Sequence, residues 1–433
     1  MLFDSNVFNM IDWFADGVEP RTGMYIRTIP IATLPSNSIQ GPILNFILYF
    51  NQFNNNDYGF GVGWEMSLAH IDSNTDGTRT LVLSNGNRYK ILSESGSTVT
   101  LQYKVSKDFN FVKDSTDTYR IINKDGSIET LQNGRVSKIT APNSKAILFA
   151  WNADNAFTIT DSSGTTLVSS KWSSNTHIIT TPQRILNLQF SDPATSPVRA
   201  LLKVQEGSGK TLTLLYEMTS QLHNTSYYCL SGFTSILSYY QNETLTYTLL
   251  AGPPGIPGSI MAVSVRDTFW FNKKIKDKTN RITIKTNYAY QLANYLGYPL
   301  TEKWTTGVDN LEKNHSFEFE TVASTGGMRT VNRRYNNFYL PVSLVPLEPG
   351  QTPLTPRNGK QTSFSYALNT GKDQGIDAQS PTFLLPTETH LTRLGIGDKK
   401  ELVSTTSTVY HAYDSDGNLS TYTSIEGIVT RYT

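Results

Sequence analysis

The sequence has little cysteine and little charge. Cys229 is the single cysteine among 433 residues, so no intrachain disulfide can form and no cysteine cluster is present to bind zinc. Charged residues make up 17% of the chain, below the usual value of about 25%, and 37 basic residues offset 36 acidic ones to leave a net charge of +1. This balance removes the electrostatic case for nucleic acid or an anionic membrane as the main partner. The 11% of aromatic residues argues against a disordered chain.

Long apolar runs are also missing. The longest, at residues 44–50, is interrupted by Asn45 and is far too short to cross a bilayer, so we expect no membrane span. Residues 1–5 lack the basic segment that opens a secretory signal peptide. Export would therefore need a route other than the classical signal peptide.

Helical periodicity is scarce. One short amphipathic helix is predicted within the N-terminal segment, between a capping Ser5 and Gly17. A second is predicted over residues 289–296, before Gly297. Neither could form a core alone.

Alternation of apolar and polar residues with period two dominates instead, and it predicts strands. Turn signals separate these strands: Asn-Gly at 85–86, Asp125 with Gly126, Asn-Gly at 133–134 and Gly-Ser-Gly at 207–209. Such turns favour tight hairpins because their residues accept a positive φ. The sequence therefore predicts an all-β fold of serial antiparallel hairpins that form one large curved or spiralling sheet.

The alternation also predicts which sheet faces are covered. Residues 282–285 and 316–320 alternate cleanly, which is typical of a sheet with one polar face. Residues 146–151 are apolar on both faces and are predicted to lie where the sheet is covered.

Two stretches rich in proline and glycine, 252–258 and 346–360, are predicted loops. Alternation resumes after each of them, so they do not divide the chain into separate domains. We predict an N-terminal segment, 1–17, followed by one β-region, 18–433.

The glycine-rich run at 207–211 invites a phosphate-loop interpretation. The motif needs an earlier glycine where this chain has Val204, and strand alternation follows the run where a helix should begin. A hairpin turn is favoured.

Gly59, Gly61 and Gly63 are spaced wrongly for a dinucleotide fingerprint, with Trp64 where the last glycine belongs. A tight bend that seats Trp64 in the core is favoured. No cofactor is predicted.

Residues 72–77 carry oxygen ligands at alternate positions, as a calcium loop does, but Leu83 stands where the bidentate glutamate belongs. A polar turn is favoured over a calcium site.

The six histidines lack the spacing of a zinc protease, and no Gly-x-Ser-x-Gly elbow occurs. Turn chemistry also explains Asp414 and Asp416 better than a catalytic carboxylate pair does. We predict no metal site and no enzymatic activity.

Aromatic residues at 269–271 precede several lysines at 273–278, as on surfaces that bind single-stranded nucleic acid. No second basic segment joins them. A buried aromatic strand followed by a solvated turn is favoured, so no nucleic-acid partner is predicted.

The last residues, 413–433, contain a specific pattern made by Tyr413, Asp414, Gly417, Asn418, Leu419 and, in a closing Arg-Tyr pair, Tyr432. The pattern resembles a YD repeat. It predicts a strand, a turn in which Asp416 and Asn418 satisfy the backbone while Gly417 is left-handed, and a return strand whose tyrosine packs on the next hairpin.

The opening of the chain carries a related resemblance. Residues 18–25, which include Pro20, Arg21 and Gly23, resemble the opening of large bacterial RHS-repeat proteins, relatives of the C component of insecticidal toxin complexes. Residues 58–64, with the three glycines and Trp64, share that resemblance. The hairpins at 83–89 and 119–131, the latter with Asp125 and Gly126, also resemble early hairpins of that family.

In that family, strands wind into a hollow shell that encloses a toxic C-terminal polypeptide. The resemblance therefore implies a non-enzymatic shell segment that helps to encapsulate a toxic cargo or partner polypeptide. Its other partners would be the remaining RHS repeats or a partner shell protein. It also implies a bacterial virulence protein that is secreted or delivered by a specialised system. The family's core motif and toxin region are absent, so we expect either the N-terminal part of a longer polypeptide or a shortened relative.

A glycan-binding or cell-surface recognition module is the alternative. Tyr335, Phe338 and Tyr339 would supply an aromatic β surface on which a sugar could stack. A glycan is therefore a second candidate partner.

Overall fold

The computed structural model describes the chain in these ranges: 9–36, 41–52, 54, 56–74, 77–152, 154–192, 194–196, 198–222, 225–236, 239–250, 258–272, 282–292, 309, 317–326, 329–347, 359–369, 375–396 and 402–432. Strands make up nearly all of the regular structure in these ranges, and no α-helix is found there. A 3-10 helix spans Ile376–Ala378.

The first nineteen strands are β1 (Gly17–Val18), β2 (Tyr25–Ile26), β3 (Thr28–Pro35), β4 (Ile43–Phe50), β5 (Trp64–Met66), β6 (His70–Ser73), β7 (Arg79–Val82), β8 (Arg88–Ser95), β9 (Thr98–Leu101), β10 (Phe109–Ser115), β11 (Thr118–Asn123), β12 (Ile128–Gln132), β13 (Arg135–Thr140), β14 (Ala146–Trp151), β15 (Phe157–Asp161), β16 (Thr166–Ser173), β17 (Thr176–Thr180), β18 (Ile185–Phe190) and β19 (Leu201–Glu206). The later strands are β20 (Thr211–Leu222), β21 (Thr225–Ile236), β22 (Tyr239–Leu250), β23 (Gly258–Asn272), β24 (Ile282–Leu292), β25 (Glu318–Thr325), β26 (Arg329–Asn336), β27 (Pro341–Leu347), β28 (Gly359–Tyr366), β29 (Pro386–Ile396), β30 (Leu402–Tyr413), β31 (Leu419–Thr423) and β32 (Val429–Arg431).

The strands follow one another in the sheet in the order of the sequence. Each strand from β6 to β32 pairs antiparallel with the next, while β3, β4 and β5 form a separate three-stranded sheet and β1 pairs with β2. This confirms the predicted all-β fold with one long antiparallel sheet. The sheet also closes on itself, because β13 pairs with β6 and β20 pairs with β23.

The predicted hairpin turns are confirmed. Gly86, Gly126 and Gly134 have φ values of 86°, 84° and 75°, which suit the tight connections between their strands. Gly209, with φ of 86°, closes the turn between β19 and β20 where the phosphate-loop interpretation had been rejected.

Two sequence predictions are wrong in detail. β14 is not covered on both faces, because Leu148 and Ala150 are exposed while Ile147 and Phe149 are buried. Residues 289–292 belong to β24 instead of a helix, since pairing with β25 overrides the local helical pattern.

In the described part of the predicted N-terminal helix, residues 9–10 have 3-10 conformation and residues 11–16 form a turn and bends. The buried side chains there, Ile11 and Trp13, are two residues apart, a spacing that a helix would direct to different faces. The Asp12 carboxylate instead accepts a hydrogen bond from the Phe14 backbone N–H at 3.0 Å. Residues 1–8 lie outside the described ranges.

The predicted strand at 282–285 is confirmed within β24, and residues 318–320 of the strand predicted at 316–320 lie in β25. Of the loops predicted at 252–258 and 346–360, residues 252–257 and 348–358 lie outside the described ranges. Their remaining residues are not loop: 258 lies in β23, 346–347 in β27 and 359–360 in β28. The aromatic residues at 269–271 lie in β23, and the lysines that follow are outside the described ranges.

Buried apolar side chains concentrate in the earlier part of the chain. The largest cluster runs from Tyr25 to Val263 and includes Phe46, Phe60 and Trp64. Strands β29 to β32 contribute little to any core, because Val409 is the one buried residue among their described side chains.

Candidate functional site

The turn that contains Pro20, Arg21 and Gly23 is organised by a buried carboxylate. Glu19 accepts hydrogen bonds from the Arg21 backbone N–H at 3.0 Å and from Arg21 Nε at 2.7 Å. Gly23 has φ of 73°, and a Cβ atom there would collide with the Tyr290 hydroxyl. The Gly23 carbonyl accepts a backbone hydrogen bond from β23 at 2.8 Å. The turn is therefore a docking point for strands much later in the sequence.

A second apolar cluster joins the start of the chain to late strands. Its members are Ile11, Trp13, Met24, Ile26, Tyr49, Ala262, Phe319, Tyr335 and Tyr339. The rings of Trp13 and Tyr49 lie 5.9 Å apart, and Phe319 stacks on Tyr335 at 5.0 Å. The sheet is thus wound so that β25 and β26 return to the N-terminal segment.

The same cluster corrects the proposed sugar-stacking surface. Tyr335, Phe338 and Tyr339 are 4%, 6% and 3% exposed, so their rings pack against other side chains and offer no open face. Phe338 belongs to a third small cluster with Leu340 and Phe383. A sugar cannot stack on these three rings in this structure.

The bend at residues 59–64 is confirmed as a packing device. Gly59, Gly61 and Gly63 all have positive φ, and a Cβ atom on Gly61 would lie 2.8 Å from the Leu201 backbone nitrogen. The bend buries Trp64 completely.

The YD turn at 413–419 is built around a different residue from the one predicted. Gly417 is left-handed as expected, with φ of 78°. Asp414, instead of Asp416, accepts hydrogen bonds from the backbone N–H groups of Asp416 (2.9 Å) and Asn418 (2.8 Å). Hydrogen bonds from Asn418 hold the pKa of Asp414 below its ordinary value. Leu419 then begins β31.

The YD turn rests on hairpins from the beginning of the sheet. Lys107 Nζ lies 3.0 Å from Asp416 Oδ1, and Lys124 Nζ donates a hydrogen bond to the Asp416 backbone carbonyl. Lys124 directly precedes the turn of Asp125 and Gly126, so two of the hairpins that carry the family resemblance meet here. We call this the closure contact. It brings the end of the long sheet back to its start.

Strands beyond the closure contact have no buried side chain among their described residues. The side chains of β31 are half-buried on both faces, and those of β32 are exposed. Tyr432 is 53% exposed, so within the described residues it has not found the packing predicted for it.

Sequence reasoning missed a buried ionic network beneath the early strands. Its centre is Arg88, which forms ion pairs with Glu65 at 3.2 Å and with Asp72; the three side chains are 3%, 0% and 3% exposed. Hydroxyl and amide groups surround them. Tyr49 donates to Glu65 at 2.8 Å, and Tyr58 donates to Asp72. The signal for this network is Glu65 itself, a charged residue between Trp64 and Met66 in a strand.

Protonation in the network follows from these contacts. Burial alone would raise the pKa of Asp72, but Arg88, His70 and Tyr58 together hold that pKa well below its ordinary value. Burial lowers the pKa of His70, and the Asp72 carboxylate more than reverses this, so the net shift is upward. His70 Nε2 lies 3.4 Å from Asp72 Oδ1, while Nδ1 lies 3.1 Å from the Leu68 carbonyl.

The network borders a cleft of about 370 Å³ at the seam where β13 meets β6. We call it the seam cleft. Its lining includes Tyr58, His70, Asp72, Asn133, Arg135 and Trp151. At the seam, one residue pair, Arg135 with His70, joins the two strands. The Ile71 backbone N–H donates to the Gly134 carbonyl at 2.8 Å beside this pair, and the cleft lies next to this short stretch of pairing.

The remaining candidates for chemistry behave as structural residues. Asp72, from the calcium-loop candidate, is paired with Arg88, and residues 75–76 lie outside the described ranges. Across the described residues, no group of three or more metal-ligating side chains is placed to hold an ion. His177 is buried against Trp172 with rings 4.5 Å apart, and burial lowers its pKa to about 4. His223 and His315 lie outside the described ranges.

Comparisons with known proteins gave matches among solved structures alone. No protein-family model matches the chain, and no curated protein matches it. Among the described residues, no helix is long and apolar enough to cross a membrane.

The chain is similar to part of the crystal structure of TcdB2-TccC3-Cdc42, with 10% identity and a TM-score of 0.21 over 92% of this chain and 26% of that one. The structure of TcdB2-TccC3 matches with 11% identity and a TM-score of 0.14 over 92% of this chain and 17% of that one. The N-terminal domain of the effector protein SpvB from Salmonella typhimurium strain LT2 matches with 12% identity and a TM-score of 0.15. This match covers 61% of this chain and 94% of that one. The chain thus spans about a quarter of the first of these, and TM-scores this low carry no argument for function.

Proposed function

We propose that this protein is a non-enzymatic wall segment of an RHS-type shell, which helps to encapsulate a toxic cargo or partner polypeptide. The observation that carries the proposal is the closure contact, in which the YD turn at 413–419 meets the hairpins that contain Lys107 and Lys124. In a simple meander, each strand pairs with its neighbours and the two ends of the sheet need not meet. Its presence supports a sheet that winds back on itself, as a container wall must.

The uncovered strands at the end of the sheet support the same function. An edge strand presents unpaired backbone groups that can pair with another strand. Among the described residues, β32 pairs with β31 and its side chains are exposed. Further RHS repeats or a partner shell protein would cover this hairpin and extend the wall.

The mechanism of such a wall is steric. Continuous backbone pairing from β6 to β32 leaves few gaps through which a protease could reach an enclosed polypeptide. A bacterial cell that makes a toxic cargo would be protected by the same barrier until a specialised system delivers it. Cell-surface recognition remains the alternative, but it no longer has Tyr335, Phe338 and Tyr339 as its surface.

Small-angle X-ray scattering tests the shape. A solid protein of 433 residues has a radius of gyration of about 22 Å. We expect a clearly larger value for the monomer, because a wall places its mass away from its centre. A value near that of a solid protein would contradict the proposal.

Protection of a cargo tests the function. An unfolded, trypsin-sensitive polypeptide fused after Thr433 should be digested several-fold more slowly than the same polypeptide alone. The double variant Lys107→Glu, Lys124→Glu is the matched control, because it reverses both charges of the closure contact and should reduce the protection. Equal digestion of the wild-type fusion and the free polypeptide would overturn the encapsulation role.

A further inference from the structure

The seam cleft contains a cation, Arg135, that has no anionic partner in the described part of the chain. No described residue forms an ion pair or hydrogen bond with the Arg135 guanidinium, which instead lies over the Trp151 ring at 5.3 Å. Trp151 is held in place because its Nε1 donates to the Val136 carbonyl at 2.7 Å. The guanidinium therefore lies on a fixed aromatic ring, and none of the described residues accepts a hydrogen bond from it.

The acidic groups of the cleft are already neutralised by other residues. Asp57 pairs with Arg199 at 2.5 Å, and the same carboxylate accepts the Gly59 and Gly61 backbone N–H groups at 2.8 and 3.0 Å. Asp72 is paired with Arg88. Arg135 is therefore the charge that the cleft offers to a ligand, and that ligand should be an anion.

Burial supports this assignment. Partial burial lowers the pKa of the Arg135 guanidinium, the direction expected for a cation that lacks a neighbouring carboxylate. A bound carboxylate would remove this cost, and Arg can bind a carboxylate through two parallel N–H donors.

The other lining residues indicate the size and polarity of the part of the ligand that carries the anionic group. Asn133 lies at the rim with φ of 52°, and no described residue hydrogen-bonds to its side-chain amide. Leu68, Ala69 and Val136 form an apolar wall. A volume of about 370 Å³ is at the small end of ligand pockets, which suits a single ring with substituents better than an extended chain.

We propose that the seam cleft binds an acidic sugar, with its carboxylate on Arg135 and its hydroxyl or amide groups toward Asn133. A single ring that carries a carboxylate, polar substituents and one apolar face matches the charge, the size and the mixed lining of the cleft. This site goes beyond the wall function. It also places carbohydrate recognition at residues other than the buried rings of Tyr335, Phe338 and Tyr339.

Titration by saturation-transfer NMR tests the site, with N-acetylneuraminate and glucuronate as probes and glucose as the neutral analogue. The wild-type protein should bind at least one acidic sugar in the millimolar range or tighter, and glucose should not compete. Arg135→Gln should weaken binding about tenfold, since a charge-assisted pair is lost. Lys138→Gln is the matched control, because it removes the same charge from an exposed position on β13 and should change binding less than twofold.

A second variant distinguishes a lost ligand contact from a misfolded protein. Asn133→Gly removes the rim amide at a position whose positive φ glycine accepts, and it should weaken binding a few-fold with an unchanged circular dichroism spectrum. Three results would overturn the proposal: no binding of either acidic sugar to the wild type, equal binding by Arg135→Gln, or acetate and a short peptide with a free carboxyl end binding as tightly as the sugars. The last result would assign the cleft to peptide carboxylates. None of these results bears on cargo protection, so the two functions fail separately.

Discussion

The hairpin at 123–127 and the hairpin at 414–418 share the same backbone turn at opposite ends of the sheet. In each, the backbone carbonyl of the first turn residue accepts the glycine N–H, at 3.0 and 3.1 Å, and the glycine has φ of 84° or 78°. Their strands differ in burial. β11 alternates between buried and partly exposed residues, whereas every residue of β31 is half-buried. Local chemistry therefore forms the hairpin, and contacts from distant strands decide whether it belongs to a core.

This difference distinguishes two groups of strands, an early region, β1 to β19, and an outer region, β29 to β32. The early region contains most of the largest apolar cluster and the buried ionic network. The outer region is held through the closure contact and through pairing with β28. If the outer region awaits another part of a shell, substitutions there should cost little stability in the isolated chain.

The buried ionic network should give the largest effect when it is compared with an exposed ion pair between β25 and β26. Arg88→Met leaves two buried carboxylates without their cation, and we expect a loss of about 3–5 kcal/mol in the free energy of unfolding, measured by urea denaturation. Arg334→Met removes a comparable pair with Glu318, but those side chains are 48% and 47% exposed. That variant should lose no more than about 1 kcal/mol.

A similar loss in both arginine variants would mean that the ion pairs of β26 are as protected as those of the early strands. Breaking an ion pair in the early strands would then cost no more unfolding free energy than breaking one in β26. Adding Glu65→Gln and Asp72→Asn to Arg88→Met should recover part of the loss, because it removes the unpaired charges.

Two glycines with the same backbone conformation provide a smaller contrast. Gly63 has φ of 84°, and a Cβ atom there would lie 2.5 Å from the Phe50 ring; Gly427 has φ of 78° and nothing within 4 Å. Gly63→Ala should cost about 3 kcal/mol from backbone strain and overpacking together. Gly427→Ala should cost only the strain, about 1 kcal/mol. Urea denaturation measures both, and equal losses would show that packing around Gly63 contributes nothing.

The hairpins were predicted well from the sequence because the residues that determine a tight turn lie within the turn itself. Turns such as 125–126 and 133–134 need residues that accept positive φ, and those residues can be identified without knowledge of the fold. Burial was predicted less well. Residues 146–151 were expected to be covered on both faces, yet Leu148 is exposed because its face of β14 meets solvent.

The candidate site was beyond the reach of sequence patterns for the same reason. Arg135 and His70 are neighbours through one ladder pair between strands that are far apart in the sequence. Nothing near either residue marks the seam. Likewise, Asp416 was expected to cap its own turn, but Asp414 does so and leaves Asp416 free to meet Lys107.

The closure contact should give the smallest effect on stability and the most specific effect on dynamics. Lys107 and Asp416 are 52% and 55% exposed, so Lys107→Glu should change the free energy of unfolding by less than about 1 kcal/mol. The reversed charge repels Asp416 and should release the YD turn from the early hairpins. Amide hydrogen exchange in residues 410–423 should then become faster at low salt, with a smaller change at high salt because exposed charges are screened there. Lys138→Glu, an exposed charge reversal away from the contact, should leave exchange in this segment unchanged. If Lys107→Glu also leaves it unchanged, other contacts hold the two ends of the sheet together, and the outer region is less independent than its burial indicates.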